Sequence, residues 1–508
     1  MAKVEQGLSR RNKWSYSIGC IGRDMAYTLV SLYILTYIQY TMNITTEMFS
    51  VISVFLVLCS VWDAVNDPMM GTIITNTKTK QGKYRPWIII GALTNVVTIV
   101  ALFVFPAAFN ITGWSFVIFF GITYLLWETT FTMNDISYWS LLPALAHTKK
   151  DRDTLTTLVA TFASVGAFSA AILVTFLTPG NAIEMYKWLA IGISAAFVLS
   201  QVMVYFLVKD NSDEEEIEES VSIKEMFKII FKNKQLLVMA IVVLLYSLGS
   251  SILNAFGTNY FYIEFGYNGN LITLFLVMYA VGTLVSQSIY PILAKKFKRR
   301  QLVAFSTILL IIGYVLFFVI GVLPFGTEGD MPIKFIIIAI VSLFIFAGQG
   351  VFYLAMLVML ANTIEYGEWE SGRRQEAISF AVRPFMVKLA AAIQHLMLTV
   401  TLALTGLWLI TNGISEIEVA FNYYQNNGVA LSPEFVDVIS SAVVQQRATE
   451  ILNSGVTPQM KIIYLFIMTI VPVAMYVACY FVLKKKYIIT EEKYEQITAE
   501  INARNAAK

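Results

Sequence analysis

Charge is scarce in this sequence. Only 14% of its 508 residues are Asp, Glu, Lys or Arg, against about 25% in a soluble globular domain. With 57% hydrophobic residues and a mean hydropathy of +0.67, this excludes a soluble globular protein and points to a polytopic membrane protein. Histidine and cysteine are scarcer still. The two histidines, His147 and His395, are too far apart to suggest a metal centre. Cys20, Cys59 and Cys479 all fall in apolar segments without metal-ligand spacing, so free thiols and no bound cofactor are expected. The net charge of +2 says little, because placement of charge matters more than its sum in such a chain, and no nucleic-acid partner is expected. The N-terminus lacks a small-residue cleavage site ahead of its first apolar run, so no cleaved signal peptide is expected.

What the chain has is long apolar runs, and the natural solvent partner for them is a lipid bilayer. Runs of spanning length fall at 14–40, 48–75, 87–106, 113–142, 154–178 and 186–208, and again at 235–259, 269–294, 302–324, 333–361, 377–412 and 459–484. Each holds about 20 residues or more, enough for one crossing as a helix. The basic clusters, among them Arg10–Lys13, Lys78–Arg85, Lys295–Arg300, Arg373 with Arg374, and Lys484–Lys486, all lie on one side of an alternating count of twelve. The opposite loops hold almost no Lys or Arg. The expected fold is therefore all-α, with twelve transmembrane helices and both termini cytoplasmic.

The longest basic-side loop, 209–234, splits the chain six plus six. It divides an N-terminal half (1–208) from a C-terminal half (235–484), which is followed by a cytoplasmic tail at 485–508. The second half includes a long, polar external loop at 413–458, read as a tolerated insertion or as a gate or partner site. Proline-bearing helices run into basic turns in both halves, after Pro68 and after Pro291. Paired six-helix halves with a midplane site between them are the major facilitator plan.

The organising stretch is 61–87, VWDAVNDPMMGTIITNTKTKQGKYRPW. Asp63 and Asp67 stand four residues apart in an apolar run, so they share one helix face. Each ionised Asp near a membrane centre costs roughly 2.5–3.5 kcal/mol. A bound cation is the obvious compensation; a pair of carboxylates snorkelling from a helix end is the plainer reading. Pro68 would free the carbonyl of Ala64, and with Asn66 alongside this makes an oxygen-rich surface of the kind hard cations such as sodium favour.

Other intramembrane charges accompany it. The first span carries Arg23 and Asp24: either Asp24 accepts substrate hydroxyls while Arg23 neutralises nearby carboxylates, or the two form a structural ion pair with another helix. The fourth span carries Thr132 and Asp135 on one face, with Trp139 one turn beyond. A carboxylate beside an indole suits a sugar, whose hydroxyls bond the acid while its apolar face stacks on the ring. Taken alone, Trp139 is as well read as a packing or interfacial residue. Arg383 and Lys388 lie in the apolar part of the eleventh span, where they would balance the acids of the first half, or where Arg383 would snorkel.

The stretches GRDMA, WDAVNDPMMG, QGKYRPW, NDISYWSLLP and IEYGEWESGRRQEA resemble the glycoside–pentoside–hexuronide:cation symporter family, the melibiose-permease type within the major facilitator superfamily. The resemblance covers about residues 10–410 and the last span. It implies a cation site at Asp63, Asn66, Asp67 and Thr132, with sodium held at Asp63 and Asp67. It implies a sugar site at Asp24, Asp135 and Trp139 with Arg23 beside it, and a lysine, Lys388, that links the two sites. It also implies a bacterial inner or plasma membrane. One departure is Ala160, which aligns with a sugar-contacting arginine of the melibiose permease and argues against a galactoside. Arg383 would suit bidentate recognition of an acidic sugar.

The expected function is secondary active symport of a sugar with sodium or a proton, and no enzyme activity. The alternatives are a cation-coupled transporter of an amphiphilic lipid-like solute on the same scaffold, and a sugar sensor that does not transport. An intramembrane aspartyl hydrolase fails because Asp63 and Asp67 share one helix and no second Asp-bearing motif of protease type stands opposite.

Overall fold

The computed structural model describes residues 8–77, 79, 81–146, 149–209, 231–372 and 376–506, without the side chains at 64–65, 68, 75, 143, 149–150, 152–153 and 376–381. Among the described residues every regular element is helical. In chain order they are α1 (Arg10–Thr41), α2 (Thr46–Thr75), α3 (Arg85–Phe103), α4 (Gly113–Leu145), α5 (Lys149–Leu177), α6 (Ala182–Leu207), α7 (Lys234–Phe265) and α8 (Asn270–Lys296). They continue as α9 (Arg299–Val322), α10 (Ile333–Ser371), α11 (Glu376–Thr405), α12 (Leu407–Asn427), α13 (Ser441–Gly455), α14 (Pro458–Lys486) and α15 (Glu491–Ala506). A one-turn helix, Phe105–Ala108, comes after α3. Twelve of these, α1–α11 and α14, are long and apolar enough to cross a membrane, as the hydrophobic runs predict. A helix is the local solution because lipid offers the backbone no hydrogen-bond partners.

The chain divides into two compact units. The first takes in Met1–Ser220, Gly266–Thr273 and Gly406–Gly455. In it α1 packs on α5 and α6, α3 on α4 and α6, and α2 on α4. Apolar lipid tails offer no hydrophobic drive for helix pairing, so close backbone approach and polar bridges do that work. Gly22 permits the α1–α6 approach: a Cβ there would stand 2.4 Å from the carbonyl oxygen of Ala196. Gly91 does the same between α3 and α4, where a Cβ would lie 2.6 Å from the amide nitrogen of Asn134. Asn134 Nδ2 donates to the Ile88 carbonyl at 2.8 Å, and Gln201 Nε2 to that of Gly19 at 2.7 Å. Tyr16 and Tyr138 stack at 4.5 Å and each hydroxyl donates to the other's carbonyl, which locks α1 to α4.

The second unit comprises Val221–Phe265, Leu274–Thr405 and Val456–Lys508. Here α7 packs on α10, α11 and α14, and α9 on α10 and α14. Gln349 of α10 donates from Nε2 to the hydroxyls of Tyr314 and Tyr476 at 3.1 and 3.2 Å, and its backbone carbonyl accepts from the Tyr246 hydroxyl at 2.9 Å. The tail is a docked helix: α15 lies against α10, with Ile497 and Ile501 buried and Trp369 Nε1 donating to Glu500 at 2.6 Å.

The structure differs from expectation at 413–458. The eleventh span stops at Thr405, because Gly406 adopts a left-handed conformation at φ +74°. The segment after Gly406 holds two helices where a long loop is expected, and both belong to the first unit. On α12 the residues Trp408, Thr411, Ile414, Ser415, Glu418 and Phe421 are buried at helical spacing, and on α13 Val444, Ala448 and Leu452 are. An amphipathic pattern explains why this polar stretch folds: its apolar stripe covers part of the first unit. Most of the middle loop 209–234 lies outside the described residues, as do Lys78, Lys80, His147, Arg373, Arg374 and the side chains of Ala64 and Pro68.

Candidate functional site

The acids and bases singled out from the sequence fall on four helices. Arg23 and Asp24 are on α1; Asp63, Asn66 and Asp67 on α2; Thr132, Asp135 and Trp139 on α4; Arg383 and Lys388 on α11. Two groups of them are brought together within the first unit.

In the first group Arg23 bridges two carboxylates. Its Nη2 and Nε reach Asp24 Oδ2 at 2.9 and 3.2 Å, and its Nη1 reaches Asp135 Oδ1 at 3.0 Å. The sequence separation of Arg23 and Asp135 is 112 residues, and the Tyr16–Tyr138 lock between α1 and α4 holds them in register. The guanidinium sits 4.7 Å from the ring of Tyr138 and 5.1 Å from that of Trp139, within cation–π range. The Arg23 side chain is 3% exposed, whereas those of Asp24 and Asp135 are 20% and 31% exposed. The cation is thus internal and each acid keeps an accessible edge. Arg23 takes Oδ2 of Asp24 and Oδ1 of Asp135. The oxygens Asp24 Oδ1 and Asp135 Oδ2 can then accept from a further donor. A carboxylate accepts only, so the complementary ligand surface is rich in hydroxyl donors. Trp139, 39% exposed, offers its ring beside them.

The second group lies one turn back along α4. Thr132 Oγ1 donates to Asp63 Oδ1 at 2.9 Å, with both side chains buried. Trp62 Nε1 donates to Thr129 Oγ1 at 3.0 Å and pins α2 to α4 beside this contact. Asn66 is buried on the same helix as Asp63, and its Nδ2 has no hydrogen-bond partner among the described residues. An amide is two-ended, so a half-turn of the group presents its oxygen in the same place. Asp67 comes one turn after Asp63 and is half-buried. Among the described residues no three His, Cys, Asp or Glu side chains converge as a metal cluster. Along this face stand carboxylate, hydroxyl and amide groups, oxygen donors of the kind that suit a hard cation better than a soft one.

Sequence reasoning missed Glu128. It stands one turn before Thr132 on α4 and close enough to Cys59 and Tyr124 to interact with both. The signal was present, since Glu128 is an intramembrane carboxylate at i−4 from Thr132. On α11, within the second unit, Arg383 Nη2 donates to the Tyr353 hydroxyl at 2.5 Å, and Tyr353 in turn stacks near Tyr246 at 5.9 Å. Lys388 is half-buried on the same helix. Ala160 is exposed on α5 and offers no polar side chain.

A family model described as MFS/sugar transport protein matches residues 15–446. The chain is similar to the lactose permease of Lactobacillus delbrueckii subsp. bulgaricus, with 24% identity over 96% of this chain and 72% of that permease. It is also similar to the glucuronide carrier protein homolog of Escherichia coli strain K12, with 25% identity over 85% of this chain and 90% of that protein. In fold it resembles the crystal structure of a bacterial homolog of the human lysosomal transporter Spinster, inward-facing and unoccupied. That match has a TM-score of 0.58 at 12% identity and covers 94% of this chain and 97% of the other.

Proposed function

Since the chain belongs to the MFS/sugar transport protein family and is a multi-pass membrane transporter rather than an enzyme, we propose that it is a symporter that carries a sugar inward together with sodium or a proton. The sugar class is a glycoside, pentoside or hexuronide, in line with the lactose and glucuronide named for its relatives. The observation that carries this reading is the shared helix α4. One turn of it places Thr132 against Asp63, and the next places Asp135 against Arg23, with Trp139 beyond.

The mechanism rests on charge. Asp63 and Asp67 lie one turn apart on one face of α2, and two like charges so placed repel each other and call for a counter-charge. An entering cation supplies the missing charge and draws α2 towards α4 through Asp63 and Thr132. Asp135 lies one turn from Thr132, so the same movement sets a sugar ligand. Linkage then requires sugar to tighten cation binding by the same factor, and a coupling of roughly 1–3 kcal/mol is ordinary. One charge entering across about 150 mV gains roughly 3.5 kcal/mol, enough for several-hundred-fold accumulation. Sodium is favoured over the proton because Asn66 and Thr132 add neutral oxygens that a proton does not need.

The test is sugar affinity at fixed pH with and without sodium, in the parent and in Asp67→Cys. The expected result is an enhancement by sodium that disappears in the variant. Undiminished enhancement in Asp67→Cys excludes this cation site. Counterflow of labelled sugar in proteoliposomes separates a transporter from a sensor, which exchanges nothing.

A further inference from the structure

A second cluster of charge is buried in the second unit, away from every residue assigned above. Glu264 ends α7, Lys334 begins α10 and Lys461 lies in the first turn of α14. Lys334 Nζ meets Glu264 Oε1 at 2.5 Å and Lys461 Nζ meets Oε2 at 3.1 Å. The side chains of Glu264 and Lys334 are 3% and 5% exposed, and that of Lys461 is 38% exposed. Two ammonium groups thus share one carboxylate, and the cluster carries one positive charge more than it neutralises.

These groups line a cavity of about 330 Å³, together with Tyr260, Gly321 and Leu465. The size falls at the small end of known ligand sites. Two features make it more than a gap around an ion pair. Tyr260 is 2% exposed, and its hydroxyl has no hydrogen-bond partner among the described residues. A buried hydroxyl without a partner costs roughly 1–3 kcal/mol, so its retention calls for an acceptor. Gly321 lets α9 approach that hydroxyl and Leu465 closely: a Cβ there would lie 3.2 Å from the Tyr260 oxygen and 2.4 Å from Leu465 Cδ2, so no side chain of α9 covers the hydroxyl at this point. The first turns of two long helices, α10 and α14, contribute Lys334, Pro458 and Lys461 to the lining; Thr457 caps α14, whereas α10 has no side-chain cap. Both add positive potential. Glu264 is the one acid lining the cavity; Lys334 hydrogen-bonds its Oε1, whereas Oε2 is ion-paired with Lys461 but accepts no hydrogen bond among the described residues.

We propose that this cavity is a binding site for a phosphate-class oxyanion, held by Lys461 and Lys334 with the Tyr260 hydroxyl donating to it. The anion neutralises the surplus ammonium charge, accepts the unbonded hydroxyl and lies at two helix amino ends. The same chemistry is offered by free inorganic phosphate and by the phosphodiester of an anionic lipid, because the site stands where four membrane-spanning helices begin or end.

Two arms separate the sources. Detergent-purified full-length protein is melted in potassium phosphate against potassium chloride of matched ionic strength. Protein in nanodiscs of phosphatidylcholine is compared with protein in discs that also hold phosphatidylglycerol. A saturable rise in melting midpoint in the first arm assigns free phosphate, and a rise confined to the second assigns the lipid. In either case Lys461→Gln weakens the apparent affinity about tenfold or more, and Tyr260→Phe about fivefold. Tyr260→Phe keeps the packing and carries the test if the lysine variant fails to fold. No rise in either arm overturns the proposal, as do variants that respond like the parent.

Discussion

Glu418 offers a sharp test of how the two extra helices are held. It sits on α12, fully buried, and accepts from the amides of Gly180 and Ala182 at 2.9 and 2.8 Å and from the Tyr267 hydroxyl at 3.0 Å. It therefore ties α12 to the turn before α6 and to the segment before α8, all within the first unit. Burial raises its pKa from 4.5 to about 7, against the lowering effect of those three donors. Below about pH 4.5 the carboxyl is protonated in both the docked and the opened state, and docking has its full stability. Between about 4.5 and 7 the opened state gives up its proton while the docked state keeps it, so stability falls as pH rises; above about 7 it levels off. At about 1.4 kcal/mol per pH unit the loss across the whole window is about 3–4 kcal/mol, on the order of three-hundredfold in the opening equilibrium, of which about a hundredfold falls between pH 5 and pH 8. Hydrogen exchange of the α12 amides in detergent, corrected for intrinsic rates, reads it directly. Protection in the parent falls about a hundredfold between pH 5 and pH 8, whereas in Glu418→Gln it changes little. Protection in the parent that does not vary with pH, or an equal pH slope in the variant, refutes the reasoning.

The other expectations concern packing, ligand and topology. Gly22→Ala drives a methyl into the Ala196 carbonyl and lowers stability by about 1–3 kcal/mol, while Gly192→Ala, with nothing within 4 Å of its new carbon, stays within about 0.5 kcal/mol; detergent melting curves of the pair make the comparison. Asp24→Asn and Asp135→Asn each weaken sugar binding roughly ten- to a hundredfold without loss of membrane insertion, and unchanged affinity in either by equilibrium binding removes that residue from the site. In a background without Cys20, Cys59 and Cys479, all buried, Asn43→Cys labels with an impermeant maleimide from outside and Lys295→Cys only after the membrane is opened. The reverse pattern inverts the topology.

Much of the architecture was legible because lipid leaves the chain few choices. An apolar run of about 20 residues satisfies its backbone only as a helix, and the twelve runs read from the sequence are the twelve spanning helices of the structure. The charged residues of the site were legible for the same reason, since an ionised group costs enough in lipid to stand out wherever it occurs. The stretch after Gly406 was misread because its apolar residues are interspersed with polar ones and form no continuous run of spanning length. The signal lay in spacing, Trp408 to Thr411 to Ser415 to Glu418, and that stripe means a helix only if a surface waits to cover it.

The sequence by itself determined the number of spanning helices, their order, and which residues would carry charge into the membrane, because each of these depends on local hydrophobicity and helical period. It did not determine partners. That Arg23 turns to Asp135 as well as to its neighbour, that Thr132 meets Asp63, that Glu418 is held by backbone amides more than 200 residues away, and that two lysines converge on Glu264 were decided by tertiary structure alone. A helix presents every side chain at a known angle about its own axis. Which face meets which neighbour depends on close approaches such as that at Gly22 and on the packing of all the helices together, and no local window of sequence contains that sum.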